Sequence, residues 1–216
     1  MEGAAPVQGG RAMRLEDLGL VGNGQFAAHV ARDGAVVWCC LPRFDSEPVF
    51  GALLDPGGGR FSVRPASGAV GRQDYLVNTN VLETVFEDDD GTFRVLDFAP
   101  RFELHGRSFH PTQLHRVVEP IAGLPRVCVE CEPRLGWSRA EPTRDLGSHH
   151  VRFEGFAAQL RLTTDVPISY LQGAPFALTA RRHLVLTWGA PVEEPLAALC
   201  ERFLGETIGY WRRWVK

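Results

Sequence analysis

The strongest constraint on the fold is a succession of short apolar runs from Leu18 onward, each bounded by Gly, Pro, Asn or Asp. Short runs with alternating apolar and polar residues predict half-buried β-strands, and the turn residues between them predict chain reversals. Roughly ten strands follow from this pattern. Because no long helical segment alternates with the strands, a doubly wound sheet and a TIM barrel are excluded. The sequence predicts an all-β antiparallel sandwich over residues 14–192.

Turn residues predict how the strands are connected. Gly34 in Arg32-Asp33-Gly34 can supply the positive φ of a tight hairpin turn. The predicted hairpins join residues 25–31 to 35–41, 75–87 to 92–98, and 114–121 to 126–132. Further strands are predicted at 151–153, 157–163, 168–171, 176–180 and 183–188.

Residues 193–216 have a different period. Pro195 stands where a first-turn proline belongs, and apolar residues then recur at helical spacing. They are Leu196, Leu199, Phe203, Thr207, Tyr210 or Trp211, and Trp214. An amphipathic helix is predicted, whose stripe either packs back on the sandwich or leads into a second domain outside this sequence. The aromatic residues of the last turns favour the second alternative.

Composition excludes several classes of protein. The net charge is -3 and no run of Lys or Arg exceeds two residues, so the electrostatic attraction of a nucleic-acid-binding protein is lacking. No window is apolar and long enough for a membrane-spanning helix. Residues 1–13 are small and Gly-rich and are predicted to be a disordered leader. Because this segment has no features of a secretory signal, a cytoplasmic location is expected.

No cofactor, metal site or catalytic residue is predicted within the sequence. The five cysteines include the pair Cys128 and Cys131, but no second pair stands at zinc-knuckle spacing, so structural thiols are expected. The seven histidines lack the spacing of a zinc protease, and no Gly-x-Ser-x-Gly motif exposes a serine. The Gly-Asn-Gly at 22–24 is predicted to be a turn.

One loop combines groups suited to recognition. Arg43, Phe44, Asp45 and Ser46 follow a strand that ends at Pro42. An arginine, an aromatic ring, a carboxylate and a hydroxyl are the groups that bind a sugar or dock another domain. The alternative, favoured by spacing alone, is that Asp45 and Ser46 cap a following short helix.

Together these segments resemble the N-terminal domain of bacterial glycoside hydrolase family 15 proteins, which include glucoamylases, glucodextranases and trehalase-like enzymes. The similar segments are 15–24, 33–38, 41–46, 79–84, 95–100 and 210–214, and Pro-Arg-Phe-Asp-Ser is the most specific part. Cys40 and Glu47 depart from the family pattern, and residues 134–137 match it loosely.

The resemblance implies an antiparallel supersandwich followed by a linker helix and then by an (α/α)6 barrel. In the family the barrel carries an acid Glu and a base Glu of an inverting mechanism, and this sequence contains neither. It is therefore expected to be the non-catalytic N-terminal domain of a glucoamylase- or trehalase-like hydrolase, with its own barrel as partner and an α-glucoside as the barrel's substrate. Arg43, Phe44, Asp45 and Ser46 are expected at the barrel's active-site rim or at the interdomain contact, with Trp38 packed beneath them. Tyr210, Trp211 and Trp214 are expected at the seam between domains.

Two alternatives stay open. A free-standing carbohydrate-binding sandwich would stack sugars on exposed aromatic rings, for which Trp137, Tyr170 and Trp188 are the candidates, although Trp188 is expected to alternate into the core. A homodimer is the second alternative, because a partner copy could cover the apolar helix in place of a barrel.

Overall fold

The computed structural model describes residues 14–216, so the leader predicted at 1–13 lies outside the described residues. The described chain forms seventeen strands and one α-helix. The strands are β1 (Gly19–Gly22), β2 (Ala27–Val30), β3 (Ala35–Cys40), β4 (Pro48–Phe50), β5 (Arg60–Pro65), β6 (Arg72–Tyr75), β7 (Leu82–Asp88), β8 (Gly91–Phe98), β9 (Phe102–Leu104), β10 (Arg107–Phe109), β11 (Gln113–Gly123), β12 (Arg126–Glu132), β13 (Thr143–Leu146), β14 (His150–Glu154), β15 (Leu160–Thr164), β16 (Phe176–Ala177) and β17 (Arg182–Trp188). The helix is α1 (Leu196–Trp214).

The strands form two large antiparallel sheets that share one core. The first has the order β1-β2-β3-β5-β12-β16, with β4 paired to β3. The second has the order β13-β14-β15-β17-β11-β8-β7-β6, and β9 and β10 form a separate hairpin. Because the main cluster of buried apolar residues draws on strands of both sheets, the sheets face each other. The predicted all-β sandwich with a single C-terminal helix is confirmed.

Alternation along the strands builds this core. On β7, Leu82, Thr84 and Phe86 are buried while Glu83 and Val85 are partly exposed. The ring of Phe86 stacks on that of Phe93 in β8, with centroids 4.9 Å apart. Full burial of such a side chain stabilises the fold by about 1.5–3 kcal/mol. The hairpins β2–β3 and β7–β8 both form as the turn residues predict.

A buried arginine, paired with an aspartate of its own sheet, links the two sheets. The side chains of Arg116 on β11 and Asp97 on β8 have no exposed surface. Arg116 donates from Nε to Asp97 at 2.7 Å and from Nη2 to the same carboxylate at 3.2 Å. It also crosses to the other sheet, where Nη1 donates to the Phe61 carbonyl at 2.6 Å and Nη2 to the Gly34 carbonyl at 2.7 Å. A charge buried here is therefore paired and hydrogen-bonded, as burial requires.

The helix α1 packs on the outer face of the second sheet. Its buried residues, which are Leu199, Cys200, Phe203, Leu204 and Thr207, contact β8, β11 and β17 and the β9–β10 hairpin. The first part of the stripe therefore packs back on the sandwich. The cause is that the outer face of these strands is apolar and would otherwise be exposed. The expectation that the helix leads into a second domain stays a prediction. Pro195 occupies the N-cap, one position before the predicted first turn.

Several predicted strands differ from the structure. The segment 75–87 is divided between β6 and β7, because a turn separates them. The Leu76 amide closes this turn by donating to the Val81 carbonyl. The segment 168–171 is a 3-10 turn at Ile168–Tyr170 after Pro167, not a strand. The third hairpin is also wrong: β11 pairs with β8 and β17, whereas β12 pairs with β5 and β16. The connection around Gly123 thus crosses from one sheet to the other.

Candidate functional site

Aromatic residues from distant parts of the chain line a surface groove of about 580 Å³. We call it the aromatic groove, and its lining residues come from β1, the turn after β1, the start of β2, the 43–46 loop, the end of β6, the β6–β7 connection and the end of α1. Its lining residues are Leu20, Gly22, Gly24, Phe26, Ala27, Phe44, Tyr75, Asn78, Thr79, Asn80, Trp211, Trp214 and Val215. The predicted loop and the predicted helix end therefore meet at one surface.

Side chains at the end of β6 and in the β6–β7 connection fix the edge of β1 along this groove. The Tyr75 hydroxyl accepts from the Leu20 amide at 2.7 Å and donates to the Leu20 carbonyl at 3.0 Å. The Asn80 amide group donates to the Leu20 carbonyl at 2.9 Å and accepts from the Gly22 amide at 2.8 Å. These bonds cover the free edge of the sheet and so protect it from pairing with a strand of another chain.

A second set of bonds holds the helix end against the Gly-Asn-Gly turn. Buried Asn23 donates to the carbonyls of Pro100 at 3.2 Å and Pro111 at 2.8 Å. Arg101 donates to the Asn23 carbonyl, and from Nε to the Tyr210 hydroxyl at 2.8 Å. Gly24 has a φ of +86°, and a Cβ there would collide with the Arg101 guanidinium. Tyr210 therefore contacts this internal network and does not line the groove.

The groove exposes large rings to solvent. Phe44 is 66% exposed and Trp214 is 69% exposed. The Trp211 ring lies 5.8 Å from that of Trp214, edge to face. The buried Nε1 of Trp211 has no hydrogen-bond acceptor among residues 14–216. An exposed apolar patch with a polar rim is typical of a surface that contacts another protein segment.

The loop that carries Phe44 is held by its own polar groups. Arg43 donates from Nε and Nη2 to the two carboxylate oxygens of Asp45, each at 2.9 Å. This hydrogen bond lowers the pKa of Asp45. The Ser46 hydroxyl accepts from the Arg43 amide at 3.3 Å, and the Phe44 amide donates to the Gln25 carbonyl at 3.3 Å. The alternative that Asp45 and Ser46 cap a helix is wrong, because β4 follows the loop.

Trp38 does not line the aromatic groove, and its ring is 6.1 Å from that of Trp137. The expectation that it packs beneath the 43–46 loop stays a prediction. The aromatic candidates for sugar stacking also pair separately: Tyr170 contacts Phe176, and Trp188 contacts Phe156. Sequence reasoning missed Tyr75, Asn80 and Arg101 as groove-building residues; only the similarity over 79–84 indicated Asn80.

All five cysteines are buried, and burial raises the pKa of Cys131 and of Cys200 to about 12. Within residues 14–216, no three His, Cys, Asp or Glu side chains are grouped as a metal site would require. In the same range, no helix has the length and apolar character needed to cross a bilayer.

Comparison with known proteins gives a consistent result. The family described as "Trehalase-like, N-terminal" matches residues 3–166. A trehalase of Thermoplasma volcanium is 27% identical over 93% of this chain, which covers 34% of the trehalase. A trehalase of Mycolicibacterium smegmatis is 25% identical over the same shares of the two chains. Trehalase 1 of Sulfolobus acidocaldarius is 44% identical over 40% of this chain and 15% of its own length. No solved structure matches.

Proposed function

Because this chain belongs to the family of trehalase-like N-terminal domains, we propose that it is the non-catalytic N-terminal domain of a trehalase-type α-glucoside hydrolase of glycoside hydrolase family 15. The chain spans about a third of the length of the trehalases that it matches along most of its sequence. The acid and base are then supplied by the remaining part of such an enzyme, which we expect to be an (α/α)6 barrel. Trehalose is the candidate substrate, since the relatives are named trehalases.

The observation that carries the proposal is the convergence at the aromatic groove. Phe44 lies in the Pro-Arg-Phe-Asp-Ser segment, and Trp211 and Trp214 lie in the closing helix segment that also resembles the family. These segments are far apart in sequence, yet they share one exposed apolar surface. An apolar surface of this kind is stabilised when a partner segment excludes water from it.

We assign the groove to docking of the catalytic domain. The helix packs on the sandwich through its first part and exposes aromatic rings only near Trp214. A chain that continued after the helix would thus start its next element beside the groove. Arg43 and Asp45 stand next to Phe44 at the rim, where their polar groups could face the same partner.

The separate pairing of the three aromatic candidates argues against a module that binds an extended sugar chain. Such a module presents its rings as one shared platform for successive sugar units, whereas Trp137, Tyr170 and Trp188 each pair with a different aromatic ring. A homodimer through the groove is the other occupant, and analytical ultracentrifugation of the chain distinguishes it from a monomer that awaits a catalytic domain.

The test is binding of a separately expressed catalytic segment to the chain, measured by calorimetry. Trp214→Ala and Phe44→Ala should each weaken binding by tenfold or more, as truncation of a central aromatic anchor does (about 2 kcal/mol). Leu146→Ala is the matched control, since Leu146 is 58% exposed on β13 and does not line the groove. Equal affinity for all three variants and the parent would refute the assignment.

A further inference from the structure

A second concave site lies behind the 43–46 loop, at the end of the sandwich. We call it the end cleft; it has a volume of about 300 Å³ and is lined by residues that include Pro42, Ser46, Glu47, Gly136, Phe156 and Trp188. We infer that the end cleft binds one neutral pyranose ring. The inference does not rest on the proposed function, because it concerns a different site and needs no catalytic domain.

Two aromatic side chains give the cleft a rigid apolar lining. Trp188 ends β17, and its ring lies 5.7 Å from that of Phe156 in an edge-to-face arrangement. Both rings pack against the main core and are only partly exposed, so their positions are fixed before a ligand arrives. The C–H groups on one face of a sugar ring pack favourably on such aromatic surfaces.

Polar groups of the opposite hydrogen-bonding character stand side by side in the cleft. The Ser46 hydroxyl accepts from the Arg43 amide at 3.3 Å and donates to no atom of residues 14–216. The exposed Glu47 carboxylate has no hydrogen-bond or ion-pair partner in this described range. A free donor beside a free acceptor suits neighbouring sugar hydroxyls, each of which both donates and accepts.

The position of Glu47 depends on the glycine across from it. Gly136 has a φ of +53°, and a Cβ at this residue would coincide with the Glu47 carboxylate. The amide of Arg134 also donates to the Val49 carbonyl at 2.9 Å, which ties the two cleft walls together.

Size and charge select the ligand. A cleft of about 300 Å³ lies at the small end of ligand pockets and admits one ring, not an extended chain. The only charged side chain among its lining residues is Glu47, so phosphorylated and acidic sugars are repelled. A neutral hexopyranose combines the apolar ring face and the hydroxyls that the cleft can satisfy.

The experiment is a titration of the isotope-labelled chain with methyl α-D-glucopyranoside, followed by the indole N–H signals in NMR. The Trp188 indole signal, assigned with Trp188→Phe, should shift along a saturating curve in the millimolar range. Glu47→Ala should weaken binding by about fivefold or more, as loss of a hydrogen bond to a charged group does. Glu103→Ala is the matched control, because Glu103 is exposed on β9, away from the cleft.

Three results would overturn the inference. The first is an unshifted Trp188 signal at the highest sugar concentration, and the second is a Glu47→Ala response equal to that of the parent chain. The third is a shift with choline, a cationic ligand, and none with the sugar. Gly136→Ala provides a second check, since its added methyl displaces Glu47 and should also weaken sugar binding. None of these readouts depends on hydrolysis, so a failed cleft and a failed accessory domain are distinguishable.

Discussion

Replacing Arg116 by Met removes the charge that links the two sheets while keeping an unbranched apolar side chain. Arg116 makes two hydrogen bonds to Asp97 and one each to the carbonyls of Phe61 and Gly34, all inside the core. Its loss leaves the Asp97 carboxylate buried without its cation. Breaking a buried pair in this way costs about 3–5 kcal/mol. Since small domains are stable by about 5–15 kcal/mol, we expect a large loss.

Urea unfolding followed by circular dichroism measures this loss. With a urea dependence of about 2.5 kcal/mol per molar, the midpoint of Arg116→Met should fall by about 1–2 M. Arg43→Met is the matched control, because Arg43 forms the same bidentate pair with Asp45 on the exposed loop. Surface pairs contribute little, so the midpoint of that variant should not change measurably. Equal midpoints for Arg116→Met and the parent would refute the role given to the buried pair.

Two further predictions concern buried titratable groups. Burial against α1, together with neighbouring His183, lowers the pKa of His115 to about 3. The folded state therefore keeps His115 neutral. The stability that the neutral His115 contributes is complete above the unfolded pKa of about 6.5, and it is lost as the pH falls from there towards 3. His115→Gln should flatten the fall in urea midpoint between pH 7 and 4.5, and an unchanged fall would contradict this assignment. The five buried thiols should not react with Ellman's reagent in the folded chain but should all react in urea. They are those of Cys39, Cys40, Cys128, Cys131 and Cys200. Reaction of the native protein would show that a cysteine is accessible.

Local signals in the sequence predicted the local parts of the fold. The hairpins β2–β3 and β7–β8 each depend on a turn whose residues suffice to form it, with Gly34 at a φ of +82° in the first. The terminal helix was equally clear from its apolar spacing. The failed hairpin at 114–132 has the same kind of turn, but partners from distant strands compete for β11 and β12. Strand pairing in a sandwich depends on contacts between residues far apart in sequence, so it could not be predicted from local patterns in one sequence.

Only the part of the candidate site that depends on local sequence signals was predicted. Phe44 and Trp214 are large apolar residues in a predicted loop and at a predicted helix end, and such positions indicate exposed contact residues. Tyr75 and Asn80 act through hydrogen bonds to a strand edge more than fifty residues away, so no sequence spacing indicated them. Arg116 lies between His115 and Val117 on a predicted strand, and no nearby residue in the sequence indicated that Asp97 is its partner.

We expect this chain to support a catalytic domain and to supply neither the acid nor the base of hydrolysis. Hydrolysis of trehalose and maltose should be measured with the chain alone and with the chain mixed with a separately expressed candidate catalytic segment. No turnover is expected from the chain alone, and turnover in the mixture should exceed that of the catalytic segment by itself. Turnover by the purified chain alone would contradict the proposed non-catalytic role.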